Sequence, residues 1–124
     1  MGINEVAWRC SCGHHLDYKN QRGFMEDDVT ENNYSLWRYK EYYHYIISQN
    51  IVSLGEGMTP IVKDSLFGID VYLKKDYLQP TGSFKDRGAS VMVSLLKQLG
   101  IKNVVEDSSG NAGASLATYC ARAG

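Results

Sequence analysis

The chain has 124 residues, with 44% hydrophobic and 22% charged content and a formal net charge of −1. That composition is ordinary for a soluble domain large enough to bury a core, and it gives no electrostatic footprint for nucleic acid or an anionic membrane surface. No run approaches the roughly 18–20 apolar residues of a membrane span, and residues 1–9 lack the basic-then-apolar pattern of a signal peptide. The three cysteines argue against a disulfide framework and fit a reducing, cytoplasmic setting.

Residues 1–33 carry little periodicity and are expected to form an arm. Glu5-Val6-Ala7-Trp8-Arg9 suggests a short strand. Cys10-Ser11-Cys12-Gly13-His14-His15 suggests a tight knuckle, and the polar stretch from Asn20 to Asn33 a loop. Tyr34 to Ser48 has a helical pattern, with Leu36, Tyr39, Tyr43, Ile46 and Ile47 on one stripe. Its tyrosines suit either an ordinary core-facing helix or a face that meets a partner. Trp8 and Trp37 are expected in a core or interface, and His44 to be packed rather than catalytic.

Ser53-Leu54-Gly55-Glu56-Gly57-Met58-Thr59-Pro60 is a turn cluster. Ile61-Val62-Lys63 and Val71-Tyr72-Leu73-Lys74 read as a small antiparallel pair at a sheet edge, turning at Phe67-Gly68-Ile69-Asp70. Lys74-Lys75-Asp76 is assigned to a solvated strand end. The clearest element is a helix after Lys85, with Ser83 as N-cap, Asp86 closing a variant of the capping box, and Gly100 at the C-terminus. Its expected buried stripe is Ala89, Met92, Leu95, Leu96 and Leu99, with Asp86 and Arg87 left to capping and surface pairing. Asn103 to Asp107 reads as a buried strand, Ser108 to Gly113 as a loop, and Ala114 to Ala123 as a helix. Helix, strand, glycine-rich loop and helix in this order are the grammar of an open parallel α/β sheet. With so few strands the sheet faces cannot be covered, so the chain is expected to be the N-terminal fragment of a longer protein or a truncated product.

Two stretches carry chemistry. In Pro80-Thr81-Gly82-Ser83-Phe84-Lys85 a turn places an amine on the first turn of a helix, where the dipole disfavours a cation. Either Lys85 extends to solvent or its amine is held for covalent chemistry with a carbonyl. In Ser108-Ser109-Gly110-Asn111-Ala112-Gly113, hydroxyls, an amide and backbone N–H groups meet a helix N-terminus, which suits an anion. A plain connection built from small residues is the competing reading of that loop. Two such sites in one short unit favour a carbonyl cofactor that forms a Schiff base.

Together these stretches resemble the pyridoxal-phosphate enzymes of the tryptophan-synthase β-like fold (fold type II), and most closely the threonine synthases. Ser35-Leu36-Trp37-Arg38-Tyr39, Leu54-Gly55-Glu56-Gly57-Met58-Thr59-Pro60 and the run to Ala121-Arg122-Ala123-Gly124 add to the likeness, which spans residues 34–124. The resemblance implies a partial three-layer open α/β sheet over 34–124, preceded by the arm at 1–33. It implies that Lys85 holds pyridoxal 5'-phosphate, that Phe84 packs near it, and that Asn111 bonds its phenolic oxygen. Ser108, Ser109, Gly110 and Ala112, with Asn111, would cradle an amino-acid substrate's α-carboxylate, and Thr59 would sit near the cleft. The implied reaction is conversion of O-phospho-L-homoserine and water to L-threonine and phosphate, a lyase step in threonine biosynthesis, with Lys85 moving protons at the α and β carbons.

The alternatives are a threonine dehydratase-like or cysteate synthase-like enzyme fragment, or a truncated, non-catalytic interaction module. The family's phosphate-holding loop and the hydroxyl residue that meets the pyridine nitrogen lie beyond this region. The 124-residue chain alone is therefore expected not to retain cofactor and to be inactive. The family is commonly dimeric, which makes a homodimer an expectation. Some threonine synthases carry a zinc-like ribbon of two cysteine pairs. Here one pair stands, Cys10 and Cys12, short of a closed four-ligand site, so no metal is expected and those two residues are the weak candidates.

Overall fold

Ile61–Leu66 (β1) and Ile69–Lys74 (β2) form an antiparallel hairpin, in register from Ile61 opposite Lys74 to Leu66 opposite Ile69. The expected pair is present and longer than the alternation suggested. Phe67 and Gly68 make the turn, with φ of +52° and +78°. Two left-handed residues match the twist of a two-residue hairpin loop; glycine adopts that conformation freely, whereas Phe67 does so at a cost, its ring 96% exposed.

The computed structural model describes residues 7, 9–16 and 23–124. The strand expected at 5–9 and the side chain of Trp8 lie largely outside these. Among the described residues the hairpin is the one sheet. The segment expected as a buried strand at 103–107 is exposed and unpaired with any strand, Val105 being 95% exposed. An apolar run forms a parallel strand only where neighbouring strands take up its N–H and C=O groups, and none lies beside it among the described residues.

Lys85–Gln98 (α1) and Asn111–Ala123 (α2) pack against each other. Phe84, not Ser83, occupies the cap position of α1, although Ser83 Oγ still accepts from Lys85 N at 3.3 Å. At the other end Ile101 N bonds to Leu96 O and Gly100 N to Lys97 O, with Gly100 at φ +69°. This is the Schellman pattern, and it confirms Gly100 as the stop. The helix buries a different face from the expected one. Asp86, Ala89, Ser90, Val93 and Ser94 are buried, Met92 is 43% exposed, and Leu95, Leu96 and Leu99 are only partly covered. Small residues let α1 approach its neighbours closely, and its serines are bonded: Ser94 Oγ donates to Ser90 O at 2.7 Å and accepts from Val52 N at 2.8 Å. The apolar core is Val52, Ala89, Val93, Leu116 and Tyr119.

Between 34 and 48 the structure replaces the expected helix with a 3-10 helix, Leu36–Tyr43, interrupted by Tyr39 at φ −103°, ψ 25°. Ser35 Oγ caps it through Trp37 N at 3.1 Å. The backbone finds partners outside the segment: Leu36 N donates to Glu56 O, and Arg38 O accepts from Thr30 N at 2.9 Å. Those contacts, with a sequence rich in aromatic residues of modest helix propensity, draw the segment away from an α-helix. Trp37 is buried in the fold, 3% exposed, with its ring edge-on to Tyr43 at 5.8 Å.

Candidate active site

Lys85 is the first residue of α1 and is exposed, its Nζ 5.1 Å from the centroid of the Phe84 ring. A turn precedes it in which Gly82, at φ +78°, bonds its N–H to Gln79 O at 2.8 Å. Lys85 lines a hollow of about 250 Å³, shared by α1, α2 and the segment between them. Gly88, Ala89 and Met92 line it from α1, Ala112 and Leu116 from α2, and Glu106 from the connection. Lys85 and Ala112, expected to serve one ligand, are thus brought to one hollow. Glu106 was missed by the sequence reading, which placed it in a buried strand.

Asn111 opens α2, so the expected loop is shorter and the helix begins three residues earlier than anticipated. Ser108, Ser109, Gly110 and Asn111 are all exposed. Ser108 Oγ accepts from Gly110 N at 3.1 Å, which turns the chain into the helix. The first-turn N–H groups of α2 have no intrahelical partner and lie at the positive end of its dipole. Here the backbone and hydroxyl donors present a surface suited to a carboxylate or phosphate.

Thr59 is buried but does not line the hollow. Its hydroxyl donates to Asp76 Oδ1 at 2.5 Å and accepts from Arg87 Nη2 at 3.2 Å. Arg87 also grips Asp76 through Nη2–Oδ1 at 2.9 Å and Nε–Oδ2 at 3.2 Å. Hydrogen bonds from Arg87, then from Thr59, hold the Asp76 carboxyl at a pKa of about 2. Arg87 and Asp76 therefore form a two-pronged brace between α1 and the 3-10 turn Asp76–Leu78 that follows β2, with side chains 31% and 27% exposed, rather than a loose surface pair or a solvated strand end.

Two acids that looked unremarkable in the sequence are wholly buried. Glu56 Oε2 accepts from Leu54 N and Tyr119 Oη, each at 2.9 Å, and Ser53 Oγ lies 3.1 and 3.2 Å from its two oxygens. Ser90 Oγ, which receives Trp37 Nε1–H at 2.9 Å, has one proton to divide between Val52 O at 2.7 Å and Glu56 Oε1 at 2.6 Å. Asp86 is the second buried acid. Its partners are Thr81 and Ser115, so it is an internal tie and not a capping-box residue. No local sequence signal marks their burial, because Tyr119 and Ser90, which cover Glu56, and Ser115, which covers Asp86, come from distant segments.

The cysteine knuckle is present: Gly13 N bonds to Cys10 O and Cys10 N to His14 O, both at 2.9 Å. The Cys12 side chain, hydrogen-bonded to Cys10, pulls the Cys10 thiol below its usual pKa. Cys10, Cys12 and Cys120 are free thiols. Among the described residues no three His, Cys, Asp or Glu side chains are grouped to hold a metal, and no helix is long and apolar enough to cross a membrane.

Residues 52–124, more than half of the chain, match the family described as pyridoxal-phosphate dependent enzyme. The chain belongs to that family. Its α/β class, of fold type II, follows with it, and the hairpin and helix pair are the part of that architecture formed by the described residues. The chain is 38% identical to a threonine synthase of Methanocaldococcus jannaschii over 98% of its own length and 33% of the relative's. It is 39% identical to a threonine synthase of Methanosarcina acetivorans over 98% of its length and 32% of that relative's. A third threonine synthase, from Halalkalibacterium halodurans, is 37% identical over 73% of this chain and 28% of its own. The chain therefore spans about a third of the length of these curated relatives. No solved structure matches it.

Proposed function

We propose that this chain carries the lysine-bearing part of a threonine synthase-like active site, which converts O-phospho-L-homoserine and water to L-threonine and phosphate. The observation that carries the proposal is that Lys85 and Ala112, the second residue of α2, line one hollow, with Ser108 to Asn111 immediately before Ala112 in the chain. The residues suit pyridoxal phosphate: an exposed primary amine, an aromatic neighbour in Phe84, and a cluster of neutral donors at 108–112. When bound, that cofactor supplies an electron sink for charge developing on the substrate's α carbon. Lys85 would hold it covalently and then move protons at the substrate's α and β carbons. Phe84 would pack beside it, and the Asn111 amide would bond its phenolic oxygen. Ser108, Ser109, Gly110 and Ala112 would orient the α-carboxylate with hydroxyls and N–H groups. Thr59 would act one step back, bracing the start of α1 through Arg87 and Asp76.

Homodimerisation, a cytoplasmic setting and a place in threonine biosynthesis belong to the same proposal. So does the inactivity of the 124-residue polypeptide alone, which spans only a third of the relatives' length. The test is borohydride reduction of the protein mixed with pyridoxal phosphate, read by peptide mass spectrometry. In a protein of the relatives' full length, label is expected on Lys85 above every other lysine; in the 124-residue chain, Lys85 is expected to label little better than the rest. Uniform labelling of the longer protein would sink the proposal. Phosphate release from O-phosphohomoserine tests the reaction itself, and ammonia release from threonine or serine without phosphate release would favour a dehydratase-like enzyme.

A further inference from the structure

We propose that Asp86 is a positioning residue that fixes the Lys85 amine relative to the Asn111 end of α2. The inference rests on the assignment of Lys85 and Asn111 to one ligand. Asp86 Oδ2 accepts from Thr81 N at 2.7 Å, and Oδ1 accepts from Thr81 Oγ1 at 2.5 Å and from Ser115 Oγ at 2.6 Å. Asp86 and Ser115 are both 0% exposed. Thr81 lies in the turn that delivers Lys85, and Ser115 lies one helical turn after Asn111. A single carboxylate thus holds the turn before the lysine, the first turn of α1 and the first turns of α2.

The choice of residue type supports a geometric role. All three groups that donate to Asp86, two from Thr81 and one from Ser115, are neutral. A buried charge held by neutral groups costs free energy that an apolar contact would not. What a carboxylate offers in return is acceptor capacity on both oxygens. Asn in its place would turn an NH2 group toward one of the donors and leave that donor unmet. Short, directional hydrogen bonds of this kind fix orientation more tightly than apolar packing of similar area. Lys85 itself is exposed, and its backbone N–H meets Ser83 Oγ at 3.3 Å, a bond within the same turn; the tie one residue later joins that turn to α2.

The test uses the full 124-residue chain without cofactor, so its outcome does not depend on whether Lys85 binds pyridoxal phosphate. Lysines are reductively ¹³C-methylated, and the Lys85 resonance is compared among wild type, Ser115→Ala, Asp86→Asn and the double variant, with Lys63 as internal control. Amide exchange is followed at Asp86 and Arg87. Ser115→Ala, a change on α2, is expected to move the Lys85 resonance and to speed exchange at residues 86 and 87 about tenfold, as loss of one buried hydrogen bond would. Exchange at Val93 and Ser94, in the middle of α1, is expected to stay unchanged, whereas a general loss of stability would speed it equally. In the Asp86→Asn background the Ser115 change is expected to add less than it does in wild type, the non-additivity of a shared contact. If Asp86→Asn does not fold, Thr81→Val with Ser115→Ala completes the same comparison. A Lys85 resonance and residue 86–87 exchange that ignore Ser115→Ala, or effects that simply add, would overturn the proposal. If instead these results hold while borohydride labelling of the longer protein is uniform, the tie stands and the assignment of Lys85 falls.

Discussion

Tyr119 donates its hydroxyl to Glu56 Oε2 at 2.9 Å, and neither side chain has any exposed surface. The bond joins α2 to the turn that begins the Leu54-to-Pro60 cluster, 63 residues away in sequence. Removing the hydroxyl leaves Glu56 with fewer donors in a site that water does not reach. Tyr119→Phe is expected to destabilise the chain by about 1–3 kcal/mol, the range for stranding a buried polar group. Urea unfolding monitored by tryptophan fluorescence reads this directly. The pH dependence has a definite sign. Burial first, and then the Glu56 bond and charge, raise the Tyr119 pKa above its usual 10.0. A raised pKa means the contribution is intact below about pH 10 and is lost as pH rises beyond it. The wild type should therefore lose stability above pH 10 more steeply than Tyr119→Phe; parallel curves would contradict the bond.

Asp76 gives the opposite sign. Its carboxyl is held down at about 2, against an ordinary 3.8, by Arg87 and Thr59. A depressed pKa contributes stability that is present above the unfolded value and is lost as pH falls from about 4 through about 2. With a quarter of the side chain exposed, solvent screening reduces the contribution to about 1–2 kcal/mol. Asp76→Asn is expected to be less stable than wild type at pH 7, with the difference shrinking toward pH 2. Thermal melts across that window check it, and an unchanging difference would mean that the Arg87 brace is not electrostatic.

Gly57 cannot carry a side chain. Its φ is +113°, and a Cβ there would lie 2.6 Å from Leu36 N and 3.0 Å from Ser35 C, both backbone atoms that do not yield easily. Gly57→Ala is expected to cost about 2 kcal/mol or more, since clash and left-handed backbone strain act together. The same change at Gly55, where a Cβ would meet nothing within 4 Å, tests strain alone and should cost less. Equal melting temperatures for the two variants would count against the close approach of the two segments.

Several features were legible in the chain because they depend on neighbours in sequence. Gly100 stops α1, the turn at Phe67 and Gly68 makes a hairpin, and Lys85 opens a helix after a glycine turn; each is a matter of local backbone preference. The Lys85 turn and the Ser108–Gly113 run, occurring together in one chain, were legible too and led to the family that residues 52–124 match. The face that α1 buries was not. Met92, Leu95, Leu96 and Leu99 have the right period and the stronger hydrophobicity, yet Ser90 and Ser94 are buried beside Ala89 and Val93 in their place. A serine is buried only when distant groups bond its hydroxyl, here Trp37, Val52 and Glu56, and periodicity contains no record of them.

The same physics separates what the amino-acid order determined from what the tertiary structure decided. Order alone determined the helix that starts at Lys85 and stops at Gly100, and the hairpin, because turn conformation and glycine stop signals act over a few residues. Tertiary structure decided that 103–107 pairs with no strand among the described residues, that 36–43 is a 3-10 helix tied to Glu56, and that Asp86 and Glu56 are interior ties. Each of those outcomes turns on where a backbone or carboxylate finds its hydrogen-bond partner, and the partners lie up to 63 residues away.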